Sequence, residues 1–418
     1  MKEGVLPGLR CMYLGSDKRL AVALGVALAA LFVLDVWGTH TFVTTHAPAA
    51  TDFYARWVGA WAYLHQGLNP YSGEVSRQIQ MGIYGRPLRA GEDLFLFVYP
   101  FYVIFVIAPL TLLPYSWAAA VWLALLEFGL LAALWLLLTV YRWQPSPSVL
   151  ILLVGWTLLF YPHLRGILLG QFVVLIGALL ALVVWALTHR RDGLAGVALA
   201  LTTIKPQAVA LVVPLLLLWA IDQRRWRFAG AFAMALGGLL AASFLVLPHW
   251  LGDFIYQVAA YPTYTAYPPY ILMPLPWILT HLIFPALGTP VEMALRLALL
   301  AGLAWAWWRE ARSGWATFHW TLGLTLVVNS LAAVRTGTTN YVLFLLPLVP
   351  LFQHFYRRAG ALALAAVHLT LSLGLWVFFM LSQQQADLAI LVAMPLLMLA
   401  ALFWGREALA RPLEQRFT

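Results

Sequence analysis

Apolar runs of membrane-span length recur through this chain from one end to the other, and few folds can accommodate that. A helix needs roughly 20 apolar residues to cross a hydrocarbon core of about 30 Å. The runs at 20–37, 116–140, 171–188, 228–247, 291–308, 316–334, 359–381 and 388–404 are near or at that length. With 63% apolar residues and 10% charged ones among 418, the chain has too little polar surface to be wetted as a soluble domain. The expected fold is an all-α polytopic membrane protein, a single domain over 1–418 with about 12 or 13 membrane segments, some of them re-entrant or short helices. The first run carries on from Lys18-Arg19 without a small-residue cleavage site, so it is expected to remain as the first span.

The net charge of +9 does not point to nucleic acid, because the basic residues sit on the short connections between spans. The bilayer is the expected partner. Placing Lys2, Arg10, Lys18-Arg19, Arg142, Arg190-Arg191, Arg224-Arg225-Arg227, Arg309, Arg312, Arg357-Arg358, Arg406, Arg411 and Arg416 in the cytoplasm gives a self-consistent threading, with both termini inside. The long connections 38–93 and 248–290 then lie outside. The first carries Arg56, Arg77, Arg86 and Arg89 against Asp52, Glu74, Glu92 and Asp93, with no positive excess. This threading predicts a multi-pass protein of the plasma (inner) membrane whose extramembrane mass is on the outer face.

Two stretches must be broken to keep the threading. The segment between Arg190-Arg191 and Arg224-Arg225 has cytoplasmic flanks at both ends, so it crosses an even number of times. The break falls at Lys205-Pro206, predicting short helices over 193–204 and 207–222. The segment 95–114 has Pro at 100, 109 and 114, and the same parity makes it a re-entrant or surface-lying hairpin ahead of a span that begins near Ser116. Proline removes a backbone donor, and broken backbone is tolerated at membrane depth only where protein or a wet cavity covers it. A cavity open to the outer face is implied.

Reactive motifs are scarce. Cys11 stands alone, no His/Cys cluster has metal-ligand spacing, and there is no P-loop, dinucleotide fingerprint or G-x-S-x-G elbow. No internal repeat supports the inverted-repeat plan of many transporters. What remains is Asp52-Phe53-Tyr54, Gly67-Leu68-Asn69-Pro70-Tyr71, Tyr99-Pro100, Gly170-Gln171, Ala195-Gly196 and Lys205-Pro206-Gln207. In that order and on those faces, over roughly residues 20–250, the chain resembles glycosyltransferase family 87. The resemblance implies a C-type membrane glycosyltransferase fold and transfer of a hexose, mannose in the polyprenyl-phosphate-mannose-dependent members, to a glycan or glycolipid acceptor. The late segment Asn329 to Tyr341 carries Arg335 where mycobacterial members have a His-containing motif.

The residues support the same chemistry. Over 52–66 the apolar Phe53, Trp57, Ala60, Trp61 and Leu64 recur at helical spacing, with Asp52, Arg56, Tyr63 and Gln66 on the other sides, predicting a helix lying flat at the interface. Thr51 is the expected N-cap and Gly67 the expected stop, which places Asp52 in the first turn beside free backbone N–H groups that would keep it ionised. A carboxylate that takes the proton of a sugar hydroxyl as it attacks an anomeric carbon is what inverting transfer requires. The bland alternative is that Asp52 pairs with Arg56 one turn on. Asp35, Glu92 and Asp93 are the other candidate bases, and Glu127 reads as a buried acid within a span.

A lipid-phosphate donor needs cations or fixed donors near the outer ends of spans. Arg335 and Lys205 lead, with Arg165 third and Arg296 behind them. His163, Gln171, Tyr54 and Arg56 are the further substrate-binding candidates. Each cation could instead snorkel to the interface. A single-phosphate leaving group asks less of a metal than a diphosphate, so no cofactor and no obligatory metal are expected. Tyr256, Tyr261, Tyr264, Tyr267 and Tyr270, with Trp250 and Trp277, read as an aromatic belt or as a sugar-stacking lid held irregular by prolines 262, 268, 269 and 274. A lipid or sugar transporter or flippase, and a ligase or non-catalytic assembly factor, are the competing classes.

Overall fold

The computed structural model describes residues 18–46, 49–89, 92–264, 272–410 and 413. Lys2, Arg10, Cys11, Arg411, Arg416, Tyr267, Tyr270, Pro268 and Pro269 lie outside the described residues, as do the side chains of Tyr261, Pro262 and Tyr264. The expected lid therefore falls largely outside them.

Among the described residues the chain is helical, without strands. α1 (Lys18–Thr39) is followed by α2 (Thr51–Trp61), α3 (Gly73–Tyr84), the short α4 (Val103–Ile107) and the long α5 (Tyr115–Val140). Then come α6 (Pro147–Leu159), α7 (Tyr161–Leu168), α8 (Phe172–Thr188), α9 (Asp192–Thr202), α10 (Pro206–Val209), α11 (Val212–Asp222), α12 (Trp226–Val246) and α13 (Trp250–Tyr264). The last third holds α14 (Leu275–Trp277), α15 (Gly288–Arg312), α16 (Phe318–Ala332), a 3₁₀ helix (Thr338–Phe344), α17 (Leu345–Leu369), α18 (Leu375–Ser382), α19 (Gln384–Trp404) and α20 (Arg406–Leu409).

The expected membrane segments divide into three kinds. Six helical stretches are long and apolar enough to cross a membrane, α6 and α7 form a pair bent by 52°, and five apolar helices run for only 10–17 residues. Half of the α5 span is buried, against 6% for α1 and 11% for α12 and α15, so α5 is central and those three are peripheral. α17 is interrupted at Gly360, whose backbone leaves helical geometry (φ 82, ψ −179).

Both segments expected to be broken consist of short helical pieces. α9 and α11 have 11 residues each, about 16 Å of helix apiece, so neither crosses a core of about 30 Å alone. They meet at the Lys205 turn, and their far ends are joined by Arg225 Nε donating to Asp192 Oδ2 at 2.9 Å. That end also gathers Trp315, which donates to Asp222 at 2.7 Å, and the Tyr141–His319 contact at 3.1 Å. The opposite end gathers α2, the starts of α5 and α8, and the Lys205 turn. The 95–114 segment stays on this second side, since Trp57 of α2 reaches Leu110 O at 3.0 Å and Tyr102 reaches Thr203 O at 2.8 Å.

α2 itself departs from expectation. It does not present one face to water, because both of its sides are covered. Phe53 stacks on Trp122 of α5 at 4.9 Å, Tyr54 fills the space over Gly82 of α3, and the Phe97 ring lies on Gly59. Arg56, expected on the polar side, is only 7% exposed. The 94–102 strap covers the face that the periodicity assigned to water.

α9 and α12 approach closely at Gly196, where an added Cβ would stand 2.6 Å from Phe228 O and 2.7 Å from Phe232 N. Backbone cannot yield as a side-chain tip does. Gly196→Leu is expected to prevent this packing and abolish folded yield, and Gly196→Ala to cost about 1–3 kcal/mol as overpacking. Thermal melting in detergent measures the second.

Candidate functional site

The site is built where α2, the corner between α7 and α8, and the Lys205 turn meet. Gly170 forms that corner with φ +68, and its missing Cβ leaves room for Phe53 and Ala50, whose Cβ atoms would stand 2.7 and 2.9 Å away. Only glycine meets both demands without strain. Trp122 Nε1 takes up Gly170 O at 3.0 Å, and Asp52 N donates to Leu169 O at 3.2 Å. The next residue, Gln171, is thereby aimed at the first turn of α2.

Four of the expected residues come together here. Gln171 Nε2 donates to Asp52 Oδ2 at 2.6 Å, and Lys205 Nζ donates to Gln171 Oε1 at 3.1 Å. Arg56 Nη1 stands 3.5 Å from Asp52 Oδ1 and donates to Asp52 O at 2.7 Å. The Arg56 guanidinium lies over the Tyr99 ring, 4.4 Å from its centroid. Lys205, 9% exposed, also donates to Asn340 Oδ1 at 3.0 Å. The Asp52 side chain is 24% exposed, the open member of the group.

The expected cap is corrected. Ala50, with φ 55, precedes the helix and Thr51 is its first residue, with no side-chain cap. Asp52 is therefore held by the side chains of Gln171 and Arg56, not by free backbone donors. The i,i+4 pair with Arg56 is present, but as one part of a larger network.

The break at Lys205-Pro206 needs its own partners, because a proline and a kink leave backbone groups without helical bonds. Asn329 of α16 supplies them. Its Nδ2 donates to Gln207 O and Ala208 O at 3.1 Å each, and its Oδ1 accepts from Leu211 N at 3.0 Å. Arg335 lines a narrow recess with Gln207, Asn329, Thr336 and Asn340. Asn340, donating to Thr336 Oγ1 at 3.2 Å, is the wall between this recess and Lys205.

The Gly67–Tyr71 motif is a joint. Asn69 Oδ1 accepts from Tyr71 N at 3.0 Å, while its Nδ2 donates to Asp253 of α13 at 2.7 Å. Tyr71 OH donates to Tyr99 O and Gln257 Nε2 to Tyr71 O, both at 2.7 Å. The strap carrying Tyr99 is thus tied to α3 and α13.

Other expected residues are placed elsewhere. Arg165 forms an ion pair with Asp387 of α19, which also accepts from Tyr161 OH at 2.8 Å and Thr338 Oγ1 at 3.1 Å. His163 is fully buried in an aromatic box with Trp156 and Phe160, its Nδ1 donating to Thr157 O at 2.8 Å. Tyr54 packs between Gly82 and Tyr115, outside the network. Arg296 pairs with Glu292 one turn away. Asp35 lies near enough to Glu127 to act on its charge, across the contact of α1 with α5. The hydrogen bond from Arg86, with that from Arg89 N, holds the Glu92 carboxyl down to about 2, well away from the value a base working near neutral pH needs. Asp387 and Asn340 were missed. Asp387 stands just ahead of the 388–404 run, after three glutamines, so the rule that an acid within a span is itself a signal does not reach it.

Among the described residues no three His, Cys, Asp or Glu gather as a metal-ligand set. Residues 97–266 match the model of glycosyltransferase family 87. That stretch contains Tyr99, Gln171, Lys205 and Asp253, while Asp52, Arg335 and Asn340 lie outside it. No curated protein and no solved structure matches the chain.

Gly170→Ala is expected to destabilise the protein by about 1–2 kcal/mol for its left-handed backbone, with a larger loss of whatever activity depends on the aim of Gln171. Thermal melting and an activity assay on the same preparation separate the two effects.

Proposed function

We propose, from the match of residues 97–266 to the model of glycosyltransferase family 87, that this chain is a membrane glycosyltransferase that transfers a hexose, mannose on the family resemblance, from a polyprenyl-phosphate donor to an acceptor hydroxyl with inversion. The acceptor oxygen attacks the anomeric carbon while its proton passes to Asp52. The bond from that carbon to the phosphate oxygen breaks, and its electron pair leaves with the lipid phosphate. Lys205 and Arg335 meet the phosphate, and Arg56 orients the base. A monophosphate leaving group held by cations has no need of an obligatory metal. The acceptor is a glycan or glycolipid.

The observation that carries this reading is the charge of the network. Arg56 and Lys205, both at least nine-tenths buried, face the single carboxylate of Asp52, Arg56 directly and Lys205 through Gln171. A buried charge without a counter-ion is costly. An incoming phosphate would answer the surplus cation and bring the anomeric carbon to the partly exposed Asp52. Arg165, by comparison, already has its own carboxylate.

Asp52→Asn is expected to lose 10²–10⁴-fold in turnover, the usual contribution of a positioned base, with donor binding kept. Lys205→Met and Arg335→Ala are expected to weaken donor binding. Donor titration with single-turnover transfer checks both. An Asn variant retaining more than about a tenth of wild-type turnover rejects Asp52 as the base, and absence of sugar transfer by the purified wild-type protein in detergent is the outcome that a transporter would give.

The active site is proposed to face the outside of the plasma membrane. An impermeant thiol reagent applied from outside should label Ser72→Cys and leave Arg191→Cys untouched. The reverse pattern would overturn the orientation.

A further inference from the structure

Asp52 and Lys205 carry opposite charges in a site that is mostly dry, yet they form no ion pair. The Gln171 amide stands between them, with its Nε2 on Asp52 Oδ2 at 2.6 Å and its Oε1 on Lys205 Nζ at 3.1 Å. The two neighbours fix which way that amide points, because an ammonium only donates and an ionised carboxylate only accepts. We propose that Gln171 is a positioning residue that keeps the carboxylate and the ammonium one amide apart, so that neither neutralises the other. The proposal rests on the reading of Asp52 as base and Lys205 as phosphate ligand.

The surroundings are arranged to hold this spacing. Gln171 sits just before α8 with its N–H bonded to Gly166 O at 2.8 Å, and the Gly170 turn sets its direction. Lys205 is braced from its other side by Asn340, which Thr336 holds in turn. Asp52 is braced from its other side by Arg56. The titratable and charged groups acting on Asp52 are Arg56 from its own helix, Lys205 from the turn, Tyr99 from the strap and Tyr115 from α5. The tyrosines stay neutral near pH 7, so Arg56 and Lys205 are the charges that face the carboxylate.

Removing the amide lets the ammonium close on the carboxylate. A direct pair favours the charged carboxylate and makes it a weaker base, and it also takes the ammonium away from the donor. Both functions fail together. A side chain that served only to fill space would not couple them through Lys205.

Gln171→Met keeps length and bulk but has no amide. It is expected to lower kcat at least about tenfold, a fraction of what a positioned base contributes, and to raise KM for the donor. The acid limb of kcat/KM against pH should move to lower pH by about one unit, the low end of the effect of an adjacent opposite charge. The sign follows because the base must be ionised to act, and a nearer cation keeps it ionised at lower pH. Gln171→Asn, too short to touch both neighbours, should behave alike and serves if the Met variant does not fold. In Gln171→Met combined with Lys205→Met the acid limb should return to or above its wild-type position, while the donor KM stays high. An unmoved limb in both single variants, or one that stays low in the double variant, overturns the proposal. Failure of the underlying reading is distinct, because there Asp52→Asn itself keeps its turnover.

Discussion

Hydrocarbon offers no partner to a backbone N–H or C=O, so every departure from helix at membrane depth must be answered by a side chain. This chain departs from helix several times on one side. At each departure a polar group from a distant element steps in. Asn329 serves the Lys205-Pro206 break, Trp122 takes Gly170 O, Tyr102 takes Thr203 O, and Tyr71 takes Tyr99 O. The breaks bring polar residues to one level of an apolar protein, and the Asp52 network lies among them.

Charge is managed differently at Asp52 than at the other buried charges. Arg165 with Asp387, Arg225 with Asp192 and Arg296 with Glu292 are matched pairs, each with one cation and one carboxylate within ion-pair reach. Such pairs offset the desolvation of their members and leave little field behind. At Asp52 one carboxylate faces two cations, Arg56 directly and Lys205 across the Gln171 amide. Matched pairs tie helices together, whereas an unmatched cation beside a partly open carboxylate suits an anionic substrate.

The residues singled out in the sequence met different fates. Asp52, Arg56, Gln171 and Lys205 converge, and Arg335 lines the adjoining recess through Asn340. Arg165 and His163 lie on the same short helix near the same level, but one is answered by Asp387 and the other by Thr157 O and aromatic rings. Proximity to the outer end of a span was the shared sequence criterion. It does not distinguish a cation with a partner from one without, because the partner of Arg165 stands 222 positions away.

The solvent, the helical class, the two broken segments and the place of Asp52 in the first turn of a helix were all determined by the sequence alone. Each follows from the composition or order of a short window, through hydropathy, proline and helical period. The tertiary structure decided that α2 is covered on both sides, that Ala50 and not Thr51 precedes it, and that an amide separates Asp52 from Lys205. Those contacts join residues 119, 34 and 135 positions apart. No local window contains both partners, and which of several similar cations reaches the carboxylate depends on how the helices pack.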